Sequence, residues 1–127
     1  MLKTAHDLVV AAKATITEIS PEQARGLLGS STLLIDVREP HEYQAGHLPG
    51  AVNLPRGMLE FMLPNQPGCQ SADVPLMLYC KTSGRAALAA QSLQSLGYTD
   101  VKSMAGGFDA WAAAGLPVNK PGETSFD

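Results

Sequence analysis

Cys80 and Arg85, with Lys81, Thr82, Ser83 and Gly84 between them, are the residues whose types and spacing best suit chemistry in this chain. Cysteine is a nucleophile as the thiolate, and the thiolate is favoured where cations and backbone N–H groups converge. The apolar run Leu76-Met77-Leu78-Tyr79 enters the cysteine as a strand, and Ala86 to Leu96 leaves the loop at helical spacing. A strand, a short loop and a helix start turn N–H groups toward one point, with the positive end of the helix dipole behind them. Lys81 and Arg85 add positive charge, and the forked donors of Arg85 suit an oxyanion. The pattern predicts a reactive thiol at Cys80 in an anion-binding loop, against the plainer reading of a buried strand-end cysteine.

The rest of the chain supplies elements that place such a loop. Leu2, Ala5, Leu8, Val9 and Ala12 repeat at helical spacing, giving an N-terminal amphipathic helix that either packs on the domain or pairs two copies. Short strands are expected at 16–19, 33–37, 51–54, 76–79 and 101–104. Helices are expected from Ser20-Pro21 to Gly29 and over 57–63, 86–96 and 108–114, with Gly97 as a C-terminal stop. Ala86, Ala89, Ala90, Leu93 and Leu96 form one face of the helix after Cys80. Alternation of this kind predicts an α/β fold, a mainly parallel sheet of about five strands with helices on both faces. Ligands of such sheets bind at the carboxyl ends of the strands, where Cys80 lies.

Composition narrows the function. With 127 residues the chain fits one domain, here read as a helical extension at 1–15, a domain at 16–120 and a tail at 121–127. The net charge of −3 is spread along the chain with no basic run, which argues against a nucleic-acid surface. Two cysteines, Cys69 and Cys80, are too few for a disulfide framework or a four-ligand zinc site, and they suit a reducing, cytoplasmic setting. No apolar stretch has the length of a membrane span.

Three blocks resemble the rhodanese family of single-domain sulfurtransferases, over about Ile16 to Val118. They are Asp36-Val37-Arg38-Glu39-Pro40-His41-Glu42-Tyr43 with Gly46-His47-Leu48-Pro49-Gly50-Ala51-Val52-Asn53-Leu54-Pro55, the loop from Cys80 to Arg85, and Gly106-Gly107-Phe108-Asp109-Ala110-Trp111 with Gly115-Leu116-Pro117-Val118. The resemblance implies a Cys80 persulfide that takes sulfur from a small anionic donor such as thiosulfate and passes it to cyanide, a thiol or a protein acceptor. Lys81, Thr82, Ser83, Gly84 and Arg85 would form the cradle, and no metal or organic cofactor would be needed. The alternative is a module of the same fold that carries persulfide or regulates without turnover. Similar phosphatases place one more residue between cysteine and arginine, and one residue is up to about 3.5 Å of chain. The shorter loop here therefore favours sulfur over a phosphoryl group.

Other residues have plainer expectations. Asp36 and Arg38 either support the pocket or form structural pairs, His47 organises a turn, and His6 and His41 lie on the surface. Trp111 is core, while Met58, Leu59, Phe61 and Met62 are either an entrance wall or core. Cys69 sits among turn formers, in a loop expected to be mobile; resolving oxidised Cys80 is the lesser reading, because nothing in the sequence activates this thiol.

Overall fold

The structure is a computed structural model that describes residues 1–120; the expected tail at 121–127 lies outside the described residues. Five parallel strands, β1 (Thr17–Ile19), β2 (Leu33–Asp36), β3 (Val52–Asn53), β4 (Leu76–Tyr79) and β5 (Val101–Met104), form one sheet in the order β1-β5-β4-β2-β3. The helices are α1 (Ala5–Lys13), α2 (Pro21–Arg25), α3 (Pro40–Ala45), α4 (Leu59–Met62), α5 (Gly84–Leu96) and α6 (Gly107–Ala113).

Strand periodicity divides the core into two layers. In β4 and the residue after it, Leu76, Leu78 and Cys80 face the side covered by α4 and α5, together with Ile35, Leu59, Ala86, Ala89, Ala90 and Leu93. Met77 and Tyr79 face the other side with Ala24, Leu34, Leu48, Met104 and Trp111. Alanine repeats on α5 let its backbone approach the sheet closely, and five of its residues are buried. The expected α/β fold with a parallel sheet and helices on both faces is therefore present.

Several boundaries move for local reasons. Ser20 and Gln23 form a reciprocal capping box around Pro21, but α2 ends at Arg25, before the expected Gly29. Leu27 and Leu28 turn inward to pack on the sheet, and Gly29 takes a φ of 78° to reverse the chain. Expected to begin at Gly57, α4 starts at Leu59 and tightens into a 3-10 turn at Leu63–Asn65, because Pro64 cannot donate an α-helical hydrogen bond. Two residues earlier than expected, α5 starts at Gly84, and its Leu96 is half exposed, off the apolar face. Gly97 stops it in the left-handed conformation at φ 113°.

The N-terminal helix packs on the domain, against α5, which answers one half of the open question about its role. Among the described residues no helix is long and apolar enough to cross a membrane.

Candidate functional site

The site lies where the fold diverges. Strands β2 and β4 are neighbours, yet the chain leaves β2 for the face carrying Tyr43 of α3 and leaves β4 for the face carrying α5. A crevice opens between such strands at their carboxyl ends. It receives Cys80 from the end of β4, Arg38 from the end of β2, and Gly106-Gly107-Phe108 from the turn after β5.

Cys80 is buried, with 1% of its surface exposed. The Ala86 N–H, in the first turn of α5, donates to its Sγ at 3.3 Å. Around it the loop is held by its carbonyls. The Cys80 oxygen accepts from Phe108 N–H at 2.8 Å, and the Lys81 oxygen from Asp109 N–H at 3.0 Å. With carbonyls committed to α6, the peptide planes turn their N–H edges the other way, and those of residues 81–85 have no protein acceptor among the described residues. Open N–H groups at the start of a 13-residue helix attract an anion.

Gly107 makes this possible. It adopts a φ of 58°, and a Cβ there would lie 2.2 Å from the Thr82 oxygen, 2.5 Å from that of Cys80 and 2.7 Å from that of Lys81. The three carbonyls occupy the space of the missing side chain. Composition gave no reason to prefer Gly107 over its neighbours; its role needs the crossing of α6 over the loop.

Both loop cations are paired. Arg85 makes a forked ion pair with Glu42 of α3, at 2.8 and 3.1 Å. Hydrogen bonding from Arg85 holds the Glu42 carboxyl down at about 2, while Glu42 raises Arg85 above its ordinary value. The exposed Lys81 reaches Asp109 at 2.7 Å. From the sequence, Lys81 and Arg85 are expected to attract an anion. Folding instead pairs both cations with carboxylates from two other elements, while the backbone N–H groups of residues 81–85 have no protein acceptor among the described residues. Glu42 and Asp109 were missed because nothing local marks a partner 43 or 28 residues away.

Asp36 and Arg38 pair with each other, inside the protein. Arg38 Nε and Nη2 donate to the Asp36 carboxylate at 2.7 to 3.1 Å, and Nη2 also donates to the Gly46 carbonyl. Burial lowers the Arg38 pKa but the Asp36 carboxylate more than offsets it, so Arg38 stays charged. Its guanidinium lies over the Phe108 ring, 4.4 Å from the centroid. Asn53 clamps the same strand end by donating to the Asp36 and Arg38 carbonyls. The pair thus fixes the rim of the crevice, and Arg38 also lines a groove of about 400 Å³ with His41, Glu42, Lys81, Phe108 and Asp109.

The remaining candidates keep away from the thiol chemistry. His47 Nδ1 lies 2.9 Å from the Tyr43 carbonyl and its ring stacks on Tyr43, a turn-organising role. Trp111 is fully buried and donates to the Pro117 carbonyl. Leu59 is core, whereas Met58 and Phe61 are exposed.

The turn-rich loop around Cys69, expected to be mobile, holds its thiol inside the core, which agrees with the expectation that it does not resolve Cys80. It is buried to 1% exposure, and burial pushes its thiol pKa up. Its carbonyl accepts from the hydroxyl of Tyr98, the residue after the C-terminal stop of α5. Cys80 lies at the other end of that helix, which is roughly 20 Å long. A disulfide needs Cα atoms within about 7 Å.

Comparison with known proteins agrees with this geometry. Residues 20–114 match the rhodanese-like domain. An uncharacterised Bacillus subtilis protein, YqhL, is 41% identical over 78 residues, 61% of this chain but only 59% of YqhL. The thiosulfate sulfurtransferase GlpE of Pseudomonas entomophila is 33% identical over 84% of this chain and 90% of GlpE. Among solved structures, the polysulfide-sulfur transferase homodimer of Wolinella succinogenes shares 34% identity at a TM-score of 0.76, covering 92% of this chain and 88% of its own. A Rhodopseudomonas palustris protein of unknown function, described as a possible tyrosine phosphatase, shares 31% at a TM-score of 0.83, covering 94% and 96%. With five parallel strands, a cysteine at the end of the central one and a match over residues 20–114, the chain belongs to the rhodanese-like domain family.

Proposed function

We propose that the protein is a sulfurtransferase in which Cys80 carries the sulfur. The observation that carries this reading is the Cys80 Sγ at the start of α5, engaged by the Ala86 N–H, with the N–H groups of residues 81–85 unclaimed among the described residues. A thiolate there attacks the outer sulfur of thiosulfate. The Cys80 S–S bond forms as the donor's S–S bond breaks, and sulfite leaves with the electron pair. The outer sulfur of the persulfide bears the negative charge, and the open N–H groups are placed to hold it. Attack on that sulfur by cyanide or a thiol restores the Cys80 thiolate. No oxidant, metal or organic cofactor enters this cycle.

Support for sulfur rather than phosphoryl transfer comes from the four residues between Cys80 and Arg85 and from the sulfurtransferases GlpE and the Wolinella enzyme, which share a third of their residues with this chain. The paired state of Lys81 and Arg85 agrees, since a phosphoryl dianion asks for a free cationic fork more than a persulfide does. Intact-mass measurement after thiosulfate treatment tests the proposal. A gain of one sulfur atom, absent in Cys80→Ala and reversed by cyanide, is the expected result. Uptake without release to cyanide or thiols would make the protein a persulfide carrier. Hydrolysis of an aryl phosphate that depends on Cys80 would overturn the sulfur reading.

A further inference from the structure

The family match begins at residue 20, yet α1, which precedes it, reaches the Cys80 loop. A Cβ on Gly84 would stand 3.4 Å from Val9 Cγ2, so α1 packs against the first residue of α5. From the last turn of α1, Lys13 Nζ donates to Ser83 Oγ at 2.8 Å and lies 3.8 Å from the Glu18 carboxylate.

Ser83 immediately precedes α5. A serine in that place ordinarily folds its oxygen back to accept from the N–H of the second or third helical residue. Thr4 does so for α1, accepting from Asp7, and Ser20 does so for α2, accepting from Gln23, both at 3.1 Å. Ser83 makes no such bond. The third residue of α5 is Ala86, whose N–H goes to Cys80 Sγ. Ser83 sits at ψ −14°, where the capping Thr4 and Ser20 have ψ of 165° and 163°, so its oxygen becomes a rival of the Cys80 sulfur for that donor when the 83–84 peptide turns to the capping conformation, and the oxygen is then the better acceptor of the two.

We propose that Lys13 is a positioning residue for the thiol: by engaging the Ser83 hydroxyl it keeps that oxygen from capping α5 and reserves the Ala86 N–H for Cys80. The helix before the family domain is then part of the site. The other charges around the loop are Arg85 with Glu42 from α3, Lys81 with Asp109 from α6, Glu18 from β1 and the buried Asp36–Arg38 pair at the end of β2. Of these only Glu18 is paired with Lys13.

The test is alkylation of Cys80 by iodoacetamide in the full chain, quantified by peptide mass as a function of pH. Salt near 1 M, where the Debye length is about 3 Å, silences the distant charge of Lys13. Lys13→Met is expected to slow alkylation about fivefold around neutral pH, the scale of one net hydrogen bond, and to move the pH profile upward. Lys13→Arg should recover most of that rate. The decisive comparison removes the rival: on top of Ser83→Gly, adding Lys13→Met should change the rate less than about twofold, because no hydroxyl is left to take the donor.

An unchanged rate in Lys13→Met overturns the proposal. So does the same loss in both backgrounds, which is what undocking of α1 or simple charge removal would produce. The inference rests on Cys80 being the reacting thiol of the proposed function. Alkylation reads it whether or not sulfur is transferred, so rapid alkylation without sulfur uptake would sink the transferase reading and leave this one standing.

Discussion

The two cysteines occupy opposite ends of α5, and both are free, apolar in their surroundings and exposed to the same 1%. At the N-terminal end, Cys80 meets the Ala86 N–H and a run of N–H groups without protein acceptors among the described residues. At the C-terminal end, Cys69 offers its backbone carbonyl to Tyr98, and its thiol faces the Pro67 carbonyl at 3.9 Å. The start of α5 presents a donor to one thiol, whereas the other thiol faces a carbonyl of its own turn. Burial is therefore no guide to reactivity here; the difference lies in which half of the peptide unit faces the sulfur.

The largest expected effect comes from exchanging the thiols. Cys80→Ser should abolish sulfur uptake from thiosulfate in an intact-mass assay, whereas Cys69→Ala should retain it, and equal loss in both would erase the distinction. Next is Gly107→Ala, which drives a methyl group into three loop carbonyls at a strained φ. A cost on the order of 3 kcal/mol in chemical denaturation is expected, with Cys80 alkylation lost in whatever still folds. A native-like rate would show that α6 does not hold the loop. Left unaltered, the two thiols should differ in alkylation rate by about a hundredfold or more, because Cys69 reacts only when its core opens. Peptide mapping over a time course reads both sites at once.

A smaller effect concerns Glu42. Its carboxyl is held at about 2 in the folded chain against 4.5 as its ordinary value. A depressed carboxylate adds stability that is complete above the higher figure and is lost as pH falls through the lower one. Melting temperature should thus fall between those two values, and Glu42→Gln should flatten that portion of the curve. Because Arg85 is more than a third exposed, the pair is worth only about 1 kcal/mol. The smallest effect is expected of Tyr98→Phe, which removes the hydroxyl bond to Cys69 for a cost of about 1 kcal/mol and should quicken Cys69 alkylation without touching Cys80.

Much of this was legible in the residues themselves. The apolar alternation of 76–79, the loop and the alanine face of the next helix declare a strand, a turn and a close-packed helix, because each signal is local. The position of Cys80 at a strand end follows from the same run. What the sequence hides is what crosses it. Gly107 against the loop carbonyls, Glu42 on Arg85, Asp109 on Lys81 and Lys13 on Ser83 each join residues far apart in the chain, and none alters a periodicity. Cys69 misled for the opposite reason. Its neighbours Pro67, Gly68, Gln70 and Ser71 favour turns, but Tyr98 and the base of α5 roof the turn over. Leu96, the last residue of α5, kept its helical spacing and is still half exposed.

The seam between α6 and the loop also acts as a gauge of length. Cys80 and Lys81 hand their carbonyls to consecutive N–H groups, Phe108 and Asp109, and Thr82 rests its own on Gly107. A residue inserted among these three would slide every carbonyl out of step with α6. One inserted after Ser83 would leave that register whole and widen the ring only on the side that Lys13 guards. The first half of the loop is thereby closed to changes in size, and any shift toward a bulkier transferred group must enter through the second.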